Sequence, residues 1–81
     1  MSDMRIIYTH HAQQRMAQRK IDPQQVAETL DSLDNVIPGD RREQIAIKNY
    51  GSREVHVVFE EIEPDSVVIY TVMKPKVRLN E

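Results

Sequence analysis

Short connections between strand-like segments constrain the fold of this chain more than any other feature of its sequence. Three segments in the second half have the alternation or the β-branched content of strands: Gln44–Asn49, Glu54–Glu60 and Ser66–Met73. Only Tyr50–Arg53 and Glu61–Asp65 connect them. Connections of this length join antiparallel neighbours, because parallel strands need a crossover of about a dozen residues or more. The second half therefore predicts an antiparallel β-meander.

Two helices are predicted in the first half. Residues 10–20 contain no Gly, no Pro and no β-branched residue, and Thr9 can cap their first turn. Asp22 suits the N-cap of a second helix, with Pro23 at its first position and Gln25 at the capping-box spacing. The apolar residues of that helix recur on one face, and we expect it to end near residue 33 or 34.

The segments around these elements are less regular. Arg5–Tyr8 is either a brief edge strand or an extended lead-in. Residues 35–42 are predicted to be irregular, with a turn at 38–40. Together the elements predict an α+β fold in a single domain, residues 1–81, with two N-terminal helices packed on one face of a three- to four-stranded antiparallel β-sheet.

Composition and charge exclude several classes of protein. The chain has 81 residues and no cysteine, which excludes disulfides and thiolate metal sites. No apolar run approaches the roughly 20 residues of a membrane span, and the N-terminus lacks a signal-peptide stretch, so we expect a cytoplasmic protein with no membrane partner. Eleven Lys and Arg against thirteen Asp and Glu give a net charge of −2, which excludes a basic domain that coats nucleic acid.

The charge is nevertheless segregated along the chain. Residues 10–20 and residues 74–78 carry cations and no acid, whereas residues 60–65 hold four of the thirteen acids. A chain that is acidic overall can therefore still present one small site for an anion.

The first helix has the pattern of an anion-handling site. With His11 set at 0° on a helical wheel, Arg15 falls at about 40° and Arg19 at about 80°, beside the apolar stripe that begins at Ala12. Two arginines one turn apart can grip a phosphodiester, and the dipole at the first helical turn favours the neutral imidazole that a general base needs. These residues would supply a base and a clamp for RNA cleavage by the ribose 2′-hydroxyl, a reaction that needs no metal or other cofactor.

A structural role for the same side chains stays open. Histidine and arginine on a helix shoulder often bond to helix ends, and arginine stems pack over core residues. His10 is expected to be exposed and incidental, and His56 to be a satisfied residue of the sheet. No His-x₃-His spacing occurs, so a metal site is not favoured.

The exit from the last strand is a second candidate site. We predict that the cations after this strand bind RNA, and that the first helix lies near enough to merge with them into one basic patch. The alternative is that they only keep a terminal segment solvated. The cations are Lys74, Lys76 and Arg78.

A resemblance to a known family rests on the stretch Tyr8-Thr9-His10-His11-Ala12-x-x-Arg15-Met16-x-x-Arg19-x-Ile21 and on Tyr70-Thr71-Val72. The chain resembles the DUF4258 family, a domain of unknown function that is similar by fold to BrnT and RelE type toxins, the small ribonucleases of toxin–antitoxin systems. The resemblance implies a ribonuclease whose catalytic residues include His11, Arg15, Arg19 and Thr71, with RNA as substrate and an antitoxin-like protein as partner. Lys20 stands where the family pattern often has glycine.

Two further hypotheses compete with the ribonuclease. One is a non-catalytic protein-interaction module that docks a partner through an exposed strand edge or the acidic turn. The other is a small homodimer whose two sheets pair to complete a core.

Overall fold

One mixed sheet with two helices forms the described part of the chain. The computed structural model describes residues 5–32 and 35–75. Its elements are β1 (Arg5–Tyr8), α1 (His10–Arg19), α2 (Pro23–Ser32), β2 (Asn35–Pro38), β3 (Gln44–Asn49), β4 (Glu54–Glu63) and β5 (Ser66–Met73). The strand order is β1-β5-β4-β3-β2, with β1 parallel to β5 and the other neighbours antiparallel. The α+β class predicted from the sequence is confirmed.

The helix starts follow the capping residues. The Thr9 hydroxyl accepts a hydrogen bond from the Ala12 backbone N–H at 3.0 Å. At α2 the capping box is reciprocal: the Gln25 N–H donates to the Asp22 carboxylate at 2.9 Å, and the Asp22 N–H donates to the Gln25 side-chain oxygen at 3.2 Å. Both predicted starts are confirmed, whereas the predicted end of α2 lies outside the described residues.

The end of α1 adopts a conformation that favours glycine at the position before Ile21. Lys20 caps the helix in the left-handed conformation, with φ 57° and ψ 46°, and its backbone N–H bonds back to α1. A Cβ atom makes this conformation costly, while glycine adopts it freely.

Lys20→Gly is expected to stabilise the protein by about 0.5–1 kcal/mol, which raises the melting temperature by several degrees. Thermal unfolding followed by circular dichroism measures the change. Lys20→Ala is the matched control, because it removes the same charge from the helix end but keeps the Cβ. A glycine variant that melts no higher than the alanine variant would contradict this explanation.

The sheet differs from the predicted three- to four-stranded antiparallel meander, because it has five strands and is mixed. Arg5–Tyr8 is an edge strand, and it pairs in parallel with β5 from Arg5 opposite Ser66 to Tyr8 opposite Ile69. Residues 35–38, predicted to be irregular, form β2 and pair with β3. Four-residue edge strands carry little periodicity of their own, since their pairing depends on a neighbour distant in sequence.

The second connection of the meander is shorter than predicted. Strand β4 extends to Glu63, so the turn before β5 comprises Pro64 and Asp65 only. Irregular register between Glu61 and Glu63 accommodates the extra length. A second irregularity leaves Tyr70 of β5 without a partner on β4, because Val58 pairs with Thr71 and Phe59 pairs with Ile69.

Both helices pack on one face of the sheet, as predicted. Helix α1 contacts β5 and β1, and α2 contacts β3 and β4. A single apolar core lies between the helices and this face. It consists of Ala12, Met16, Ile21, Val26 and Leu30 from the helical half and Ala46, Val55, Val57, Phe59, Val67, Ile69 and Val72 from the strands.

A tyrosine ties α2 to the sheet. The Tyr50 hydroxyl, just after β3, donates to the Glu28 carboxylate at 2.7 Å. Partial burial of the phenol, together with the hydrogen bond and negative charge of Glu28, raises the pKa of Tyr50 to about 12.

We expect Tyr50 to ionise near pH 12 in an NMR titration that resolves each tyrosine, and Glu28→Gln to lower that pKa toward 10. A tyrosine whose folded pKa is raised stabilises the fold fully below its unfolded pKa, near 10, and that stabilisation is lost as the pH rises toward 12. Glu60→Gln is the control, because Glu60 bonds Tyr70 instead. An unchanged titration in Glu28→Gln would contradict the assignment.

Candidate functional site

The start of α1 is anchored to β5, the neighbour of the edge strand β1. The Thr9 backbone N–H donates to the Ile69 carbonyl at 3.1 Å, and the Thr9 hydroxyl donates to the Tyr70 carbonyl at 3.1 Å. The same hydroxyl accepts the helix N–H described above, so one residue joins β5 to the first helical turn. Side chains of that turn are therefore held in a defined position relative to β5.

His11 and Arg15 are in contact on the outside of α1. The Nε of Arg15 donates to Nε2 of His11 at 3.4 Å, and one terminal nitrogen of Arg15 donates to the Gln18 side-chain oxygen at 3.0 Å. His11 is exposed and Arg15 is half-buried. A guanidinium can only donate, so Nε2 of His11 carries the lone pair in this arrangement. The helix therefore places the imidazole of His11 and the guanidinium of Arg15 side by side on its surface.

The rest of the α1 surface is basic and unneutralised. Arg19 and Lys20 are both exposed, and the first turn of the helix holds no acid. Within residues 5–32 and 35–75, no Lys or Arg side chain makes an ion pair. The positive charge of α1 is thus available to an anion from solution.

Thr71 and Lys74 are placed differently from the α1 residues. Thr71 pairs with Val58 and alternates with the buried Val72, so it faces away from the side of the sheet on which α1 packs. Lys74 is half-buried and follows the end of β5, about 13 Å along the strand from Tyr70. Its predicted partners in RNA binding, Lys76 and Arg78, lie outside the described residues.

The other histidines do not join the pair on α1. His10 is exposed. His56, on β4, bonds to the Glu54 carboxylate at 2.9 Å, so its side chain has a partner within its own strand. Among the described residues, no three potential metal ligands come together.

The sequence analysis did not predict one group of polar residues, which lies around the loop between β2 and β3. The hairpin loop between β2 and β3 carries Arg41 and Arg42, which line an open depression of about 610 Å³ together with Glu60 and Tyr70. The Tyr70 hydroxyl donates to the Glu60 carboxylate at 2.7 Å, and this bond raises the pKa of Tyr70. The adjacent arginines were a visible signal, but their neighbours come from β4 and β5 and are distant in sequence.

Comparison with known proteins points to one family. The family described as "Domain of unknown function (DUF4258)" matches residues 8–74. The match begins at Tyr8 and ends at Lys74, so it includes all of α1 and β5. Neither the curated proteins nor the solved structures contain a match to this chain. In the part of the chain that the structure describes, no helix is long and apolar enough to span a membrane.

Proposed function

Since this chain belongs to the DUF4258 family, whose description assigns no activity, we propose from the geometry of its own residues that it cleaves RNA. The reaction would be a metal-independent endonucleolytic cleavage at α1, with His11 as the base and the arginines as the anion clamp. The proposal includes the toxin-like character that the resemblance implies, and with it an antitoxin-like protein as partner.

The contact between His11 and Arg15 carries the proposal. A purely structural histidine at this position would bond to a backbone carbonyl or a helix end, whereas the bond made by Nε2 of His11 is the one donated by Arg15. The side chain is exposed, so a substrate can reach it. An accessible base next to an unpaired cation is the minimal set for attack by a ribose 2′-hydroxyl.

Binding of a phosphate would also break the hydrogen bond between Arg15 and His11. The Arg15 guanidinium binds a phosphodiester more strongly than a neutral imidazole, because the bond to the phosphate is charge-assisted and bidentate. When Arg15 turns to the phosphate, the lone pair on Nε2 of His11 becomes available to the 2′-hydroxyl. Binding of substrate and release of the base are then the same event.

The chemical step follows from these roles. His11 takes the 2′-hydroxyl proton, the O2′–P bond forms and the P–O5′ bond breaks, and the leaving 5′ oxygen takes a proton from water. Arg15 and Arg19 stabilise the extra negative charge on the phosphorus oxygens in the transition state. The products are a 2′,3′-cyclic phosphate and a 5′-hydroxyl. The nucleophile belongs to the substrate, which is why no metal-activated water is required.

Charge distribution limits the kind of RNA contact. The net charge of −2 does not suit a long backbone footprint, while the basic α1 suits contact with one or two phosphates. Lys74, which follows the end of β5, would extend the positive region by contacting a further phosphate of the same RNA strand. We therefore infer a small site that acts on a single-stranded or loop segment.

Incubation of the wild-type protein with labelled RNA in excess EDTA tests the proposal. We expect fragments that end in 2′,3′-cyclic phosphate, and no cleavage of the same oligonucleotide when its riboses lack the 2′-hydroxyl. RNA that is bound but remains intact would indicate a binding relative instead of an enzyme. RNA that is neither bound nor cleaved would refute an RNA-directed function.

A further inference from the structure

The sheet has a second face that neither helix covers. Side chains on this face alternate with the core residues of every strand, and we call it the open face. Its apolar members are Ile7, Ile37, Ile45, Ile47, Val58, Val68, Tyr70 and Met73. Several of them are large and exposed, with 40 % of the Ile7 surface and 43 % of the Ile37 surface accessible to solvent.

One row of the open face crosses four neighbouring strands without interruption. Thr71 pairs with Val58, Val58 pairs with Ile45, and Ile45 pairs with Ile37. Within the described residues, both helices belong to the core on the opposite side. Three of the four residues in this row are apolar, and an apolar row on an uncovered sheet is typical of an interaction surface.

We propose that the open face pairs with a second copy of this chain, sheet against sheet, about a two-fold axis that runs parallel to the strands between β3 and β4. This axis places β3 of one copy over β4 of the other, and β2 over β5. Ile45 then lies over Val58 of the second copy, and Ile37 lies over Thr71. The row matches itself, which is the requirement for an isologous interface.

The area of the face fits a weak dimer. The axis superposes four strands of each copy, β2 to β5, and leaves β1 outside the overlap. Four strands spaced by about 4.8 Å, with about seven residues each at about 3.3 Å, cover roughly 440 Å². Two copies would therefore bury on the order of 900 Å², which is the size of a weak, transient interface. We expect a dissociation constant on the order of 10 µM.

Charges at one end of the sheet support the same axis. Arg41 and Arg42 in the β2–β3 loop lie at the same end as the acidic turn between β4 and β5, because Gln44 pairs with Phe59. Asp40 and Glu43 flank the two arginines in the same loop, but within the described residues no ion pair joins them to the arginines. The two-fold axis brings the loop of one copy over the turn of the other, where Asp65 is exposed. The arrangement thus places both loop-to-turn contacts, one on each side of the axis, at the same end of the dimer.

Sedimentation velocity over a range of protein concentrations tests the proposal. The wild type should shift from monomer to dimer near 10 µM, and Ile37→Lys should weaken the dimer at least tenfold. Val36→Lys is the matched control, since Val36 is the adjacent residue of the same edge strand, has 37 % of its surface exposed, and pairs with the core residue Ala46 on the other face. A sheet-face dimer should tolerate that change.

A charge exchange tests the axis itself. Arg42→Glu and Asp65→Lys should each weaken the dimer, and the chain that carries both changes should recover it, since each new charge meets its opposite in the second copy. Circular dichroism verifies that every variant folds. A monomer at all concentrations up to about 1 mM, or equal losses in the lysine variants of Val36 and Ile37, would overturn the proposal.

Failure of this proposal and failure of the RNA proposal are distinguishable. The open face lies on the opposite side of the sheet from α1, so Ile37→Lys should leave RNA cleavage unchanged. A variant that dissociates the dimer and also stops cleavage would show that the second copy completes the RNA site, contrary to the geometry proposed here.

Discussion

His11→Ala is expected to reduce RNA cleavage by roughly 10²–10⁴-fold while leaving the melting temperature unchanged. The imidazole is exposed, and its only hydrogen bond within the described residues is the one from Arg15, so its removal costs the fold little. It does remove the group that takes the 2′-hydroxyl proton. Single-turnover cleavage of labelled RNA in EDTA, together with thermal unfolding, measures both quantities on the same samples.

The adjacent histidine provides the matched control for this experiment. His10 is also exposed and lies in the same helical turn, yet it has no contact with Arg15 among the described residues, so His10→Ala should cleave RNA like the wild type. Equal activity in the two alanine variants would refute the role of His11. A fall in melting temperature of several degrees in His11→Ala would instead indicate a structural role.

The arginine beside His11 is expected to show a graded effect. Arg15→Ala should lower cleavage by about 10²–10³-fold, and Arg15→Lys should recover only part of it, because an ammonium cannot bind the phosphate through two parallel bonds. Gln18→Ala removes the other partner of the guanidinium and should have a much smaller effect. A Gln18 variant as inactive as the alanine variant of Arg15 would show that positioning, and not charge, dominates.

The second large effect concerns the strand that anchors α1. Ile69→Ala should lower the free energy of unfolding by about 3 kcal/mol, because Ile69 is completely buried and its truncation leaves a cavity in the only core found in the described residues. The melting temperature should fall by roughly 15 °C in a domain of this size. Urea denaturation and differential scanning calorimetry measure the change.

An exposed isoleucine gives the control for that truncation. In Ile62, on β4, 48 % of the surface is accessible, so Ile62→Ala removes the same atoms from a site already in contact with water. Its cost should stay below about 1 kcal/mol. Equal losses at Ile69 and Ile62 would mean that the core is not where the structure places it.

Local sequence signals predicted the helices well. The caps at Thr9 and Asp22 act within four residues of themselves, so short stretches of sequence specify them completely. The left-handed Lys20 shows the limit of this reasoning, because the residue itself is a poor choice for the conformation. Only the hydrogen bonds and the dihedral angles of the helix end reveal the conformation of its backbone.

Edge strands were the part of the fold that the sequence predicted poorly. Strands β1 and β2 have four residues each, which is too short for an alternating pattern to stand out. Both are strands because β5 and β3 provide hydrogen-bonding partners for them. The parallel pairing of β1 with β5 joins residues about sixty positions apart, a distance that no local pattern reports.

In the candidate site too, the sequence predicted the features that depend on neighbouring residues and missed those that depend on strand packing. His11 and Arg15 are one helical turn apart, so the sequence alone determined that they share a face of α1. Thr71 was assigned to their site by resemblance, and the strand alternation that buries Val72 turns it toward the open face instead. The β2–β3 loop brings its arginines beside Tyr70 and Glu60, which no spacing in the sequence indicated.

The sequence by itself determined the helices, their caps, the antiparallel pairing of β3, β4 and β5, and the placement of His11 and Arg15 on one face of α1. Each of these depends on residues a few positions apart or on very short loops. Only the tertiary structure decided the fifth strand, the mixed sheet and the uncovered face. These features arise from hydrogen bonds between strands distant in the chain, and from both helices packing on one side to bury a single core. The open face is the surface that neither helix covers, and we propose that a second copy of the chain covers it.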